Sequence, residues 1–341
     1  MVFSCILRFA SAHSNKKSEV DEVASIRKIG IIGCGNVGMT TAYTLMVHGL
    51  CTEMVLIDVN TKKAESEAMD LGHCLPFLSP MQIYAGDYTD LLDAQIIIIA
   101  AGVGQKPGET RIDLVHRNAD IFSDILRQIV AVNTDCLLLI VSNPVDILTY
   151  VALKASGFPT SRVIGTGTVL DTARLKYLVG EKLGVDYRNV HSFIIGEHGD
   201  SELAVWSGAN VSGINIDDFC PLCHNCNRMT DLYELYDDVK NSAYKIIEGK
   251  GATYYAIAQA TRRIIDAIAR DENTILPVST YLDGQYGLRD ICMSIPSIIG
   301  TDGVKHVLDI PLDDTEYRYL MESASALRQV IDSLSPAHTM I

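Results

Sequence analysis

The sequence predicts an α/β fold in which a doubly wound parallel sheet is followed by a second, mixed α/β (α+β) domain. Short apolar runs recur along the first half of the chain and are separated by helical stretches, as is typical of buried parallel strands joined by helices. A glycine-rich turn follows the first run, and the length of 341 residues is typical of about two domains. Helical periodicity continues late in the chain, over Tyr233–Ile247 and Asp313–Leu334.

Six apolar runs are predicted to be the strands of the parallel sheet. The carboxyl ends of such strands meet at one edge of the sheet, where ligands bind. Polar or glycine-rich segments follow the fourth, fifth and sixth runs, so the sequence predicts one shared site at that edge. The runs are Lys28–Ile32, Met54–Asp58, Met81–Ala85, Gln95–Ala100, Leu137–Val141 and Val163–Gly165, and the segments are Gly102–Arg111, Ser142–Pro144 and Thr166–Arg174.

The turn after the first strand has the spacing Gly-x-Gly-x-x-Gly, formed by Gly33, Gly35 and Gly38. The first glycine permits a tight turn, the second lets a pyrophosphate approach the backbone, and the third lets helix and strand pack closely. Asp58 follows Gly38 by 20 residues and ends the second strand, as does the acid that binds a ribose hydroxyl group. The pattern predicts a Rossmann domain for NAD, since Asp58 would repel the 2′-phosphate of NADP. A glycine turn without a ligand is the alternative.

A second group of residues predicts acid–base chemistry. His198 carries an imidazole, the side chain best matched to proton transfer near neutral pH. A carboxylate such as Asp171 can hold that ring in one tautomer, and Arg174 can bind a substrate carboxylate through two parallel hydrogen bonds. Taken alone, an Asp-x-x-Arg pair is more typical of an ion pair on a helix surface. Its coincidence with a dinucleotide-binding turn favours an active site.

Composition narrows the range of partners and compartments. The net charge of −14 disfavours nucleic acid and anionic membranes, which require basic patches, and no apolar run is long enough to cross a bilayer. Nine irregularly spaced cysteines argue against a disulfide framework and for a reducing cytoplasm. Residues 1–26 lack the basic leader of a secretory signal and are predicted to be a polar, poorly ordered arm. The predicted domains are then 27–165 and 166–335.

The order and spacing of six motifs resemble those of the lactate/malate dehydrogenase family, from Lys28 to about Leu334. The resemblance implies a Rossmann domain, a mixed α/β substrate domain, NAD as cofactor and reversible reduction of a 2-oxo acid by NADH. It also implies a homotetramer. The motifs are Gly33–Gly38, Gln105–Arg111, Ser142–Asp146, Gly165–Arg174, Gly196–Glu202 and Gly249–Thr253.

The resemblance also implies a role for individual side chains. His198 exchanges a proton with the substrate oxygen, Asp171 orients His198, and Arg174 binds the substrate carboxylate. Arg111 polarises the carbonyl when the glycine-rich loop before it closes as a lid. The remaining implied substrate contacts are Gln105, Asn143 and Thr253, and the implied cofactor contacts are Gly33, Gly35, Asn36, Val37, Gly38, Asp58, Ala101, Gly102, Ser142, Asn143 and Ile257.

Residue 105 is predicted to decide between the family's two substrates. Malate dehydrogenases of the family have an arginine there, which pairs with the second carboxylate of oxaloacetate. The neutral Gln105 offers no such partner, and burying an unpaired carboxylate is costly. We therefore expect pyruvate and lactate as substrates, in fermentation. A malate dehydrogenase and a non-catalytic NAD-binding relative are the alternatives, although a structural protein has no need to keep these charged side chains together.

Two further features concern regulation and metal binding. Some bacterial members bind the activator fructose 1,6-bisphosphate through a histidine and an arginine; His191 matches the histidine and Lys176 stands in place of the arginine, so allosteric activation is a hypothesis. Lysine keeps the charge but lacks the planar fork of arginine. The stretch Cys220–Cys226 offers three thiols and a histidine. Without a second Cys-x-x-Cys arm it is predicted to be a surface loop, and no metal site is predicted.

Overall fold

The structure is a computed structural model that describes residues 26–104, 108, 111–223, 229–335 and 338, without the side chains at 111, 229, 230 and 233. The predicted N-terminal arm therefore lies outside the described residues, apart from its last residue. That residue, Ile26, is buried and is the first residue of the first strand. The strand therefore begins one residue before the predicted start of the first domain at residue 27.

The described residues form fourteen strands and nine α-helices. The strands are β1 Ile26–Ile32, β2 Cys51–Ile57, β3 Gln82–Ala85, β4 Ile96–Ile99, β5 Leu137–Ile140, β6 Val163–Gly165, β7 Val190–His191, β8 Ile194–Ile195, β9 Leu203–Ala204, β10 Asn210–Val211, β11 Ile214–Asn215, β12 Thr274–Asp283, β13 Arg289–Gly300 and β14 Gly303–Val307. The helices are α1 Asn36–Val47, α2 Thr61–Gly72, α3 Arg111–Val132, α4 Val145–Ser156, α5 Val169–Leu183, α6 Ile216–Cys223, α7 Met229–Lys250, α8 Tyr255–Ala269 and α9 Asp314–Ser333.

Nine strands form one sheet in the order β3-β2-β1-β4-β5-β6-β12-β13-β14. The first six are parallel and have the strand order of a Rossmann domain, which confirms the predicted fold class. The antiparallel strand β12 joins β6 where Ser279 lies opposite Gly165, so the second half of the chain continues the same sheet. Two smaller sheets, β11-β10-β7 and β8-β9, complete the second half.

The central strands are apolar on both faces because helices cover both sides of the sheet. In β4, Ile97 and Ile99 pack into a cluster with Phe122 of α3. Their neighbours Ile96 and Ile98 pack on the opposite face, in a cluster that includes residues of α1 and α8. Continuous apolar runs rather than alternating ones are expected for strands buried in this way.

The carboxyl ends of β1, β4, β5 and β6 lie at one edge of the sheet, as the sequence predicts. Each strand is followed there by one of the predicted polar or glycine-rich segments. Gly33, directly after β1, has a φ of 104°, in the left-handed region that glycine enters without a steric penalty. The peptide bond between Asn143 and Pro144, after β5, is cis.

The prediction that Cys220–Cys226 forms a surface loop is wrong for the first part of this segment. Cys220 is buried and lies with Cys223 in α6, which packs into the core of the second half, so the first part of the predicted surface loop is helical. An apolar stripe can bury a thiol as readily as a small hydrocarbon side chain. The other members of the cluster, His224 and Cys226, lie outside the described residues. Within the described ranges, no helix combines the length and apolarity needed to cross a membrane.

Two glycines of the first turn predict different effects on stability. A Cβ atom at Gly38 would overlap the carbonyl oxygen of Gly33, whereas a Cβ atom at Gly35 would have no neighbour within 4 Å. We expect Gly38→Ala to lower the free energy of unfolding by about 2 kcal/mol, because the helix and strand must move apart. Gly35→Ala, the matched control, should unfold at the wild-type temperature in a thermal melt. Equal melting temperatures for the two variants would contradict this packing.

Candidate active site

A cavity of about 370 Å³ opens beyond the carboxyl ends of the central strands, between the two halves of the chain. Four residues singled out from the sequence line it together: Asn143, Asp171, Arg174 and His198. They come from three separate segments, after β5, in α5 and after β8. The residues that predict acid–base chemistry thus come from separate parts of the sequence and lie close together in the structure.

Asp171 is the centre of this group. It lies in the first turn of α5 with only 2% of its surface exposed. One carboxylate oxygen accepts a hydrogen bond from Nδ1 of His198 at 2.5 Å, and the other accepts one from Arg174 at 2.8 Å. Residues three positions apart share a helix face, which explains how α5 aligns the carboxylate with Arg174. The helix N-terminus also favours a negative charge at this point.

Backbone contacts hold the loop that carries His198 against α5 and β13. The amide of Ile194 donates to Oγ1 of Thr172 at 2.9 Å, which joins β8 to the start of α5. Gly196 and Ser294 exchange two backbone hydrogen bonds of 2.9 Å. Gly196 has a φ of 96°, so the chain turns there in a conformation that other residues rarely adopt.

Asp146 is a buried acid that the sequence reasoning left without a role. It lies in α4 and is 2% exposed. One oxygen accepts the backbone N–H of His198 at 2.7 Å, and the other accepts the hydroxyl of Ser294 at 3.2 Å. Asp146 thus fixes the main chain of His198, while Asp171 fixes its ring. Its place in the motif Ser142–Asp146, at the start of a largely apolar helix, was the available signal.

The site shifts the pKa values of these groups in different directions. Burial alone would raise the pKa of Asp171, but the positive ring of His198 and the Arg174 guanidinium reverse this and hold the pKa below its usual range. Burial would lower the pKa of His198, but the Asp171 carboxylate outweighs it and raises the pKa to about 9. Burial raises the pKa of Asp146 to about 6. At neutral pH the centre is an aspartate paired with an imidazolium.

Helix α7 forms part of the wall of the first cavity, and no role was predicted for this helix from the sequence. Lys240, Ala243 and Tyr244 line the cavity from this helix. The ammonium group of Lys240 donates to the carbonyl of Asp200 at 3.4 Å, and the hydroxyl of Tyr244 donates to the carboxylate of the same residue at 3.2 Å. In the sequence, the periodic apolar residues of this helix indicate packing only, so its contribution to the cavity wall was not predicted.

A second cavity of about 680 Å³ lies at the same edge, beside the glycine-rich turn, and Gly33, Gly35, Asp58, Ala101 and Gly102 are among the residues that line it. The two oxygens of Asp58 accept the backbone N–H groups of Cys34 and Asn60, each at 2.8 Å. No side chain among the described residues caps the N-terminus of α1. An open turn, an uncapped helix start and an oriented carboxylate fit a dinucleotide, with its pyrophosphate on the helix and its ribose at the acid.

Asn118 and Ser142 connect the two cavities. The side chain of Asn118, in α3, accepts the N–H of Val103 at 2.9 Å and donates to the carbonyls of Val103 and Asn143 at 3.3 Å. The hydroxyl of Ser142 donates to the carbonyl of Ala101 at 2.5 Å. The segments after β4 and β5 are therefore held side by side where the cavities meet. Sequence reasoning missed Asn118, which resembles any polar helix residue.

The remaining predicted residues are less closely tied to these cavities. Thr253 lies just before α8, and Ile257 lies in its first turn. Ile257 packs against the apolar cluster that includes residues of α1 and α8. Asn36, Val37 and Gly38 form the first turn of α1. Arg111 begins α3, but its side chain is outside the description, as is all of Gln105.

The two residues of the regulatory hypothesis lie away from the cavities just described. His191 is exposed and lines a third cavity of about 560 Å³. Lys176, in α5, is partly buried, and burial lowers its pKa. Lys176 is not among the described residues that line the third cavity.

Comparison with known proteins gives a consistent result over nearly the whole chain. The family model described as the lactate/malate dehydrogenase NAD binding domain matches residues 27–165, and that of the alpha/beta C-terminal domain matches residues 168–336. An L-lactate dehydrogenase from Acetivibrio thermocellus is 55% identical over 309 residues, covering 91% of this chain and 98% of its own. L-lactate dehydrogenase 1 of Clostridium acetobutylicum is 51% identical over 308 residues, covering 90% and 98%.

Solved structures give the same result. The minor L-lactate dehydrogenase of Enterococcus mundtii superposes with a TM-score of 0.88 at 44% identity, over 92% of this chain and 99% of that one. A lactate dehydrogenase from a deep-sea metagenome gives a TM-score of 0.88 at 45% identity, over 90% and 98%. The chain belongs to the lactate/malate dehydrogenase family, and its first half is the family's NAD-binding domain.

Proposed function

We propose that the protein is an NAD-dependent L-lactate dehydrogenase, which reversibly reduces pyruvate with NADH. The observation that carries the proposal is the buried Asp171 carboxylate, shared between His198 and Arg174 at one cavity. This arrangement supplies a proton donor beside an anchor for a substrate carboxylate. The similarity to proteins named L-lactate dehydrogenase supports the choice of substrate.

His198 is the proposed proton donor and acceptor. Because Nδ1 faces Asp171, Nε2 is the nitrogen left to meet the substrate. Ionised Asp171 stabilises the imidazolium, so the ring holds its proton at neutral pH and releases it to the ketone oxygen as the alcohol forms. In the reverse direction the neutral ring takes the hydroxyl proton of lactate. The raised pKa of His198, about 9, favours reduction at neutral pH.

Arg174 is the proposed anchor for the substrate carboxylate. A guanidinium carries five N–H donors in a planar fork, and the bond to Asp171 uses one of them. The others suit a bidentate grip on the carboxylate. We assign Arg111 to polarisation of the carbonyl, and Asn143, Gln105 and Thr253 to contacts around the substrate, from the family resemblance.

The second cavity, beside the glycine-rich turn, is the proposed site for NAD. When bound, the nicotinamide supplies or accepts the hydride at the substrate carbon. Asp58 would hold the ribose hydroxyls, and the turn from Gly33 to Gly38 would hold the pyrophosphate. Ala101, Gly102, Ser142 and Asn143 would line the path to the reacting ring, with Ile257 as its apolar wall.

We further propose the division of the chain into a cofactor domain, 27–165, and a substrate domain, 166–335. The end of β6 at Gly165 and the start of α5 at Val169 support this boundary. The loop from Gly102 to Gly108 would serve as the lid, because closure would bring Arg111, which follows it, to the substrate and exclude water. We place the protein in the cytoplasm, which the buried free thiols of Cys34, Cys51 and Cys136 support.

Substrate preference tests the proposed function. Purified wild-type protein should oxidise NADH with pyruvate at a higher kcat/KM than with oxaloacetate, because Gln105 offers no charge for a second carboxylate. Gln105→Arg should reverse the preference, moving the ratio of the two kcat/KM values by at least about 100-fold. Gln82→Arg, which adds the same charge at an exposed position of β3, should leave the ratio unchanged. Faster turnover of oxaloacetate by the wild type would overturn the assignment.

We also propose a homotetramer that fructose 1,6-bisphosphate activates through His191 and Lys176. The exposed ring of His191 at the wall of the third cavity supports a site for an anion, and Lys176 is assigned to it from the family resemblance. Added fructose 1,6-bisphosphate should lower the pyruvate concentration at half-saturation several-fold, and His191→Gln should abolish that response. A saturation curve that the compound does not move would contradict the proposal, and gel filtration of the same samples reports the assembly state.

A further inference from the structure

Glu202 is a buried acid beside the proposed catalytic group, and the mechanism above does not use it. It ends the loop of His198, directly before β9, and only 6% of its surface is exposed. Its Oε1 atom is fully buried and has no hydrogen-bond partner among the described residues. A buried polar atom without a partner is costly, so its presence calls for a physical explanation.

Glu202 lies close enough to the catalytic pair to interact with it electrostatically. One ring nitrogen of His198 and one carboxylate oxygen from each of Asp171 and Glu202 all lie within 4.8 Å of one another. Two carboxylates in one buried site cannot both ionise without a large mutual repulsion. Asp171 has hydrogen bonds from His198 and Arg174 to stabilise its charge, whereas Oε1 of Glu202 has none.

The groups that face Glu202 come from three elements. Helix α5 contributes Asp171 and Arg174, and the loop contributes His198. Helix α7 contributes Lys240 and the phenol of Tyr236, whose hydroxyl donates to the backbone carbonyl of Glu202 at 2.6 Å. The cationic groups on both sides of the carboxyl disfavour a metal ion bound to the three closely placed residues.

These surroundings keep Glu202 protonated at neutral pH. Burial raises its pKa to about 8, and the charge of Asp171 acts in the same direction. The charges of His198, Lys240 and Arg174 oppose this shift without cancelling it. Ionised Glu202 in turn helps to raise the pKa of His198. The two groups therefore titrate over overlapping ranges of pH and influence each other.

We propose that Glu202 is a positioning residue for proton transfer, which titrates together with His198 and, once ionised, holds the proton on the His198 ring. The inference rests on the proposed function of His198. As His198 gives its proton to the substrate oxygen, the positive charge facing Glu202 disappears, and Glu202 becomes a weaker acid. Above neutral pH it then takes up a proton from solvent. Its charge extends the pH range over which pyruvate reduction persists.

The pH profiles of Glu202→Gln test this coupling. The amide keeps the shape of the side chain and removes its charge, so the pKa of His198 should fall. We expect the alkaline limb of kcat/KM for pyruvate reduction to move down by about one pH unit, the scale expected for charges at this separation. The acidic limb of lactate oxidation should move down equally, since that direction needs the neutral ring. A residue that serves only structure would not shift both limbs together.

Asp332→Asn is the matched control, because it removes one negative charge from an exposed position of α9. Both limbs should stay at their wild-type pH in this variant. A folded, active Glu202→Gln whose two limbs also stay in place would overturn the inference.

A measurement on the wild-type protein avoids dependence on the folding of the variant. In protein labelled with 13C at the glutamate carboxyls, one resonance should titrate near pH 8, the value expected for Glu202, far above ordinary glutamates. If every glutamate resonance titrates in the ordinary acidic range, the inference is wrong. This titration needs no turnover, so its outcome is separate from a failure of the protein to reduce pyruvate.

Discussion

One buried negative charge, on Asp171, governs the proposed chemistry. A carboxylate this deeply buried is stable only when positive charges and hydrogen bonds compensate its lost hydration. The partners that compensate it are His198 and Arg174, which are also the proposed proton donor and substrate anchor. The interaction that makes the buried charge tolerable therefore also keeps the imidazole protonated and the guanidinium in place.

The fold contributes by bringing separate segments to one edge of a sheet. The order of β1 to β6 places the cofactor turn and the segments after β4, β5 and β6 side by side. Strand β12 then continues the sheet antiparallel to β6, and residues of the second half line the first cavity at that edge. His198 follows β8, in a loop that is hydrogen-bonded to β13. The cofactor turn and the proton donor thus belong to one connected framework.

Local sequence signals predicted the six parallel strands, the glycine-rich turn, Asp58, Asp171 and His198, because each has a characteristic spacing or chemistry. The partners that hold these residues were not predictable in the same way. Asp146 and Asn118 act through hydrogen bonds to residues far apart in the chain, and the proposed role of Glu202 is electrostatic; no periodicity reports such interactions. The helical start of the cysteine cluster at Cys220 was missed because its short apolar stripe is also typical of a loop with incidental thiols.

The pH dependence of pyruvate reduction in Asp171→Asn tests the central claim most directly. His198 with a raised pKa is protonated below about pH 9, so wild-type kcat/KM should hold at neutral pH and fall as the pH rises through that value. The asparagine removes the charge that stabilises the imidazolium. The account predicts an alkaline limb at lower pH and a loss of about 100-fold in kcat/KM at neutral pH. An unchanged limb and an unchanged rate would contradict it.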